Sequence, residues 1–138
     1  HIAPGREPLA VDALGLTLGI TICYDLRFPE LYRRLAVAGA ELFTIPSAFT
    51  VPTGRAHWHT LLRARAIENL AWVVAPAQVG EHTSGRQTFG HSLIIDPWGA
   101  IVAECAGGPG VIFAQLDRNN AAQRRQQFPA LAHRVLDC

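Results

Sequence analysis

Apolar positions in this chain come in short runs, each broken by turn residues. "LTLGITIC" (Leu16–Cys23) is short and rich in β-branched residues, with no helical stripe, and reads as a buried strand. Pro29 suits the first turn of a helix, where its missing N–H is not needed. "PELYRRLAVAG" spaces Leu31, Leu35 and Ala38 along one face, and Gly39 is a C-terminal stop. "ELFTIP" (Glu41–Pro46) reads as a second buried strand and "SAFTVPTGRA" as a loop. "HWHTLLRARAIENLA" (His57–Ala71) predicts a helix with Leu61, Ala64 and Ile67 facing one way. "WVVAPAQ" (Trp72–Gln78) is a third strand. Strand, helix, strand, helix, strand implies parallel pairing through helical crossovers.

After Gln78 the pattern changes. Gly80–Gly90 is polar and glycine-rich and reads as a loop. "HSLIID", the turn "PWG", "AIVAEC", the break "AGGPG" and "VIFAQLD" predict a meander of strands. "RNNAAQRRQQF" is a polar helix with Asn119 or Asn120 as its cap, and Pro129–Cys138 is an irregular tail. The first residues form a short turn-rich segment that runs at once into a central strand. That start suggests the later part of a larger domain, with 1–138 as one structural piece.

Composition narrows the class. The 138 residues are 49% hydrophobic and 17% charged with a formal charge of +1, which suits one globular domain with a real core. So small a charge gives no electrostatic case for nucleic acid or an anionic membrane. No apolar run approaches the roughly 18 residues of a spanning helix. Cys23, Cys105 and Cys138 are widely spaced, without a CxxC pair, which argues against a disulfide scaffold or zinc site and fits a reducing cytoplasm. All 12 basic residues are arginine, so a mechanism that needs lysine cannot be completed by these residues alone.

Cys23 ends a strand just ahead of the helix that Pro29 opens. A sharp turn there would expose its sulfur at the carboxyl end of a parallel sheet, where ligands bind in open α/β folds. A thiol attacks as thiolate, favoured near a helix N-terminus or a cation, and Arg27 is four residues on. The Tyr24 N–H would point at an oxyanion. The competing reading is a buried cysteine, since free Cys is among the most buried residue types. Arg27 suits a substrate carboxylate, or else a salt bridge to Asp25 or Glu30. Phe49 and Thr53 offer an aromatic wall and a hydroxyl donor, or else loop packing. Trp58 is pocket wall or core. His57 and His59 do not share a helix face, so no metal site is expected from them. Arg65 and Glu68 are spaced to pair, and His91 and Ser92 read as buried hydrogen-bonding support. Ser92 has no Gly-x-Ser-x-Gly around it, and "AGGPG" lacks the lysine of a phosphate loop.

"GITICYDLRFPELYRRLAVAGAE", "PSAFTVPTGRAHWHTLLRARAIEN", "FGHSLIIDPWG" and "GPGVIFAQLD", in this order, resemble the nitrilase, or carbon–nitrogen hydrolase, superfamily. Within it they resemble the branch of amidases acting on deaminated glutathione and the omega-amidases. The resemblance implies an α-β-β-α sandwich, represented here by a partial domain, and a Glu-Lys-Cys set whose cysteine matches Cys23. It implies hydrolysis of a small linear amide through a thioester, with Tyr24 N–H and the lysine as oxyanion donors. It implies Arg27 in the pocket, no cofactor, and a homodimer or higher homo-oligomer. The family's glutamate and lysine lie upstream of the cysteine. The 22 residues before Cys23 hold one glutamate, Glu7, in a variable stretch, and no lysine. The expectation is therefore the C-terminal part of a single hydrolase domain, inactive as 138 residues alone. An N-carbamoyl amidohydrolase and a non-catalytic module of the same fold are the alternatives.

Overall fold

The computed structural model describes residues 3–136, leaving aside the side chains of residues 118 and 120. The segment read as turn-rich is in fact a strand: β1 (Leu9–Ala13) pairs antiparallel with β2 (Leu16–Ile20). Leu14 and Gly15 connect them, both left-handed with φ of 56° and 74°. This is the two-residue turn whose twist matches a hairpin, and leucine is rarely found there, so the sequence carries no hairpin signal.

The core is parallel, as expected. β3 (Leu42–Thr44) lies beside β2, and β4 (Trp72–Ala75) beside β3. Pairing continues past the strand ends: Cys23 N donates to Pro46 O, Ile45 N to Val74 O and Ser47 N to Pro76 O, each at 2.9 Å. Between β2 and β3 runs α1 (Pro29–Val37), with proline in its first turn and Gly39 beyond its end at φ 97°. Its buried face is Tyr32, Leu35 and Ala36; Leu31 is half-buried and Ala38 exposed, which corrects the expected stripe. Tyr32 can enter the core because its hydroxyl meets Thr21 Oγ1 at 2.9 Å and its ring stands edge-on to Phe43. Burial pushes its pKa well above the usual tyrosine range.

The second crossover starts earlier than His57. It begins with α2 (Val51–Thr53), passes through a π-helical turn at Gly54–Trp58 and continues as α3 (His59–Asn69). Pro52 belongs to its first turn rather than to a loop. The buried residues are Trp58, Leu62, Arg65, Ala66 and Asn69, not the expected Leu61, Ala64 and Ile67. Two polar residues, Arg65 and Asn69, thus share the inward face with apolar ones. The extra residue of the π turn also shifts the helical phase by about 100°. Gly54 is buried, and a Cβ there would lie 2.2 Å from Phe89 Cγ. Gly54→Ala is expected to cost about 1–3 kcal/mol, read from the denaturation midpoint; an unchanged midpoint would contradict this packing.

The expected Gly80–Gly90 loop contains a small hairpin, β5 (Val79–Glu81) with β6 (Gln87–Phe89), held by His82 N to Arg86 O at 2.9 Å and by His82 Nε2 to Thr88 Oγ1 at 3.0 Å. β7 (Ser92–Ile95) and β8 (Ile101–Cys105) then extend the main sheet antiparallel, giving the order β1-β2-β3-β4-β7-β8. Residues 111–117 are not the strand that their sequence predicts. They alternate exposed and half-buried residues but join no ladder among the described residues. Ile112, Ala114 and Leu116 lie against Leu42, Trp72 and Ile94, so side-chain packing alone sets their alternation. α4 (Arg118–Gln127) is capped by Asp117, whose carboxylate accepts from Asn119 N at 2.9 Å, not by Asn119 or Asn120. Aspartate caps as well as asparagine and stands at the last extended position.

The α/β class is as expected. One face of the sheet packs on α1 and α3 through Phe43, Val73, Ile95, Leu35, Trp58 and Leu62. The other packs on Ala121 of α4 and on residues 112–116. Among the described residues, no helix is long and apolar enough to cross a membrane.

Candidate active site

The parallel order brings the carboxyl ends of β2, β3 and β4 to one edge. An open cleft of about 570 Å³ lies there, lined by Ile22, Cys23, Ser47, Pro76, Gln78 and Ser92 among others. Cys23 supplies the one thiol among the described lining residues. The residue is half-buried, carries a free thiol and has φ 47°, in the left-handed region that non-glycine residues avoid. Such a backbone persists only when its surroundings fix it. Here Cys23 N is tied to Pro46 O on one side. On the other, Asp25 closes the turn: its carboxylate accepts from Ile22 N at 2.8 Å while its own N–H donates to Ile22 O at 3.0 Å. Residues Cys23–Arg27 form a short 3₁₀ turn, and the described bonds that tie it down leave the Tyr24 N–H unused.

A second anchor comes from α3. Arg65 is 4% exposed. Its Nη2 and Nε donate to Leu26 O at 2.7 and 3.2 Å, its Nη1 donates to Glu68 at 3.0 Å, and its guanidinium lies over the Tyr32 ring. The expected Arg65–Glu68 pair is thus present, but the larger share of the guanidinium holds the turn that carries Cys23.

Arg27, Phe49, Thr53 and Trp58 are not among the residues that line this cleft. Arg27 pairs with neither Asp25 nor Glu30 among the described residues. Its Nη1 lies 3.1 Å from His57 Nδ1, and its guanidinium lies over Phe49 at 5.2 Å. Phe49 is buried against Trp58, ring centres 4.9 Å apart. Trp58 is fully buried, its Nε1 donating to His91 O at 2.7 Å, which is a core position. The Thr53 hydroxyl is engaged by the Thr50 hydroxyl at 2.9 Å. Ser92 Oγ accepts from Ala77 N at 2.9 Å, the expected supporting bond, but His91 and Ser92 are half-buried rather than buried. Ser47 and Gln78 also line the cleft, and no local chemical motif marks either. Their signal was positional: each stands just past the end of a parallel strand. Cys138 lies outside the described residues.

The chain is thus an α/β protein whose candidate site opens over parallel strand ends. Residues 3–126 match the carbon–nitrogen hydrolase family, and the chain belongs to that family. It is 52% identical over 124 residues to a deaminated glutathione amidase of Synechocystis sp., covering 90% of this chain and 45% of that protein. The C. elegans NitFhit protein superposes with a TM-score of 0.92 at 49% identity, over 96% of this chain and 32% of that one. An amidase from Nesterenkonia sp. AN1, with acrylamide added at its active-site cysteine, superposes with a TM-score of 0.75 at 29% identity, over 92% of this chain and 50% of that one. The chain thus spans less than half the length of the curated relative it matches.

Proposed function

We propose that the chain is the nucleophile-bearing C-terminal part of a single amidase domain, and that Cys23 is the nucleophile. The observation that carries this reading is the left-handed Cys23 at the cleft over the parallel strand ends. The relatives named as amidases, and the acrylamide adduct at the cysteine of one of them, support it. The substrate is a small linear amide, of the dicarboxylic monoamide or deaminated glutathione type.

In this reading the Cys23 thiolate attacks the amide carbonyl carbon, and the carbonyl electron pair moves to oxygen. The Tyr24 N–H donates to that oxyanion, a contact worth roughly 3 kcal/mol. Collapse re-forms the carbonyl and expels nitrogen, which takes a proton and leaves as ammonia. Water then cleaves the Cys23 thioester to acid and free thiol. The glutamate that moves these protons and the lysine that shares the oxyanion would come from residues outside these 138. Arg27, steadied by His57 and Phe49, receives the substrate carboxylate. Phe49 backs the Arg27 guanidinium and Trp58 backs Phe49 from the core, while Thr53 supports Phe49's loop through Thr50. A homodimer or higher homo-oligomer in a reducing cytoplasm completes the proposal.

The full-length protein is incubated with a panel of amides, followed by ammonia release and by intact mass with peptide mapping. An acyl adduct on Cys23 together with ammonia is the expected result. Carbon dioxide released alongside ammonia would replace the amidase reading with an N-carbamoyl amidohydrolase. No adduct, with Cys23 alkylated by iodoacetamide no faster than Cys105, would leave a non-catalytic module of the same fold.

A further inference from the structure

We propose that His59, His91 and Glu104 form a divalent transition-metal site outside the Cys23 cleft, with Zn²⁺ as the ion of best fit. The three residues come from separate elements: the first position of α3, the link between β6 and β7, and β8. His59 Nε2 and His91 Nδ1 lie 3.0 and 2.6 Å from the same Glu104 oxygen. All three donor atoms fall within 4.8 Å of one another. An ion held tetrahedrally at about 2.0–2.2 Å from each would set them roughly 3.4 Å apart, so modest side-chain movement seats it. Two imidazoles and one carboxylate are a ligand set that borderline divalent ions favour.

The ligands are also pre-oriented. The His91 ring stacks on Phe89 with centres 4.1 Å apart, and Trp58 Nε1 holds the His91 carbonyl. The His59 ring stands edge-on to both Phe89 and His91. Side-chain exposures of 34%, 24% and 29% for His59, His91 and Glu104 leave an entry path and an open coordination position for water. The ion would pin the start of α3 to the β7–β8 hairpin, replacing hydrogen bonds with coordinate bonds between the same elements. His57, two residues from His59, takes no part; it faces Arg27.

The chelator-stripped protein is titrated with Zn²⁺ by calorimetry, and with Co²⁺ by visible absorption. The expected result is one ion per chain, a thermal midpoint raised by Zn²⁺, and Co²⁺ bands of nitrogen and oxygen ligands without thiolate charge transfer. Glu104→Gln keeps the shape and a hydrogen-bond acceptor, so the fold is retained; it and His91→Asn should each weaken binding by about tenfold or more. Absence of Zn²⁺ binding by the wild-type protein overturns the proposal. So does binding undiminished in both variants, or a thiolate band with Co²⁺, since either puts the ion elsewhere.

Discussion

Replacing Cys23 with alanine is expected to reduce amide hydrolysis by the full-length protein by at least about 10³-fold, because no other group supplies the covalent step. Binding and oxyanion donation survive such a change, but they stabilise a transition state that can no longer form at sulfur. Cys23→Ser should fall almost as far, since a hydroxyl is far harder to ionise than a thiol beside the same partners. Neither change should unfold the protein. Cys23 is half-buried, and its left-handed backbone strain is already present, so a second non-glycine residue adds little. The measurement is kcat/KM with the thermal midpoint of each variant alongside. Retained activity in a folded Cys23→Ala protein would remove Cys23 from the mechanism.

Arg65→Met is the change expected to cost the most stability. The guanidinium makes two bonds to Leu26 O and one to Glu68, and is almost wholly buried. Methionine fills much of the volume but leaves the Leu26 carbonyl without its donors. Charged hydrogen bonds contribute about 1.5–3 kcal/mol, and an orphaned buried acceptor costs about 1–3 kcal/mol. A loss of about 3 kcal/mol follows, or roughly a 10 °C fall in Tm for a chain this size. Leu26 belongs to the turn that presents Cys23 and the Tyr24 N–H, so Cys23 alkylation should also lose selectivity over Cys105. Arg65→Lys keeps one charged donor and should fall between the two. A methionine variant melting within a degree or two of the native protein would show that this clamp does not hold the turn.

The parallel core was legible because each buried strand is a short β-branched run and each crossover carries its own helix signals. What escaped the sequence has local causes. The β1–β2 hairpin hides behind a leucine in a conformation usually given to glycine or asparagine. The inward face of α3 is carried partly by Arg65 and Asn69, which a hydrophobic stripe does not reveal, and its phase is shifted by the π turn before it. Residues 111–117 have a strand's alternation without a ladder partner. Cys23 stood out because its elbow is written in adjacent residues. Ser47 and Gln78 join it only through strand order, and His59 meets Glu104 across 45 positions, which no local motif records.

The bonds from Cys23 N to Pro46 O, Ser47 N to Pro76 O and Gln78 N to Ser47 O have a kinetic consequence. Each joins strand ends that are distant along the chain, so its loop must close before it forms. No isolated stretch of the polypeptide can therefore hold even a crude version of the cleft. A nascent or partly unfolded molecule carries Cys23 outside this setting, and the cleft exists only once these distant pairings have closed.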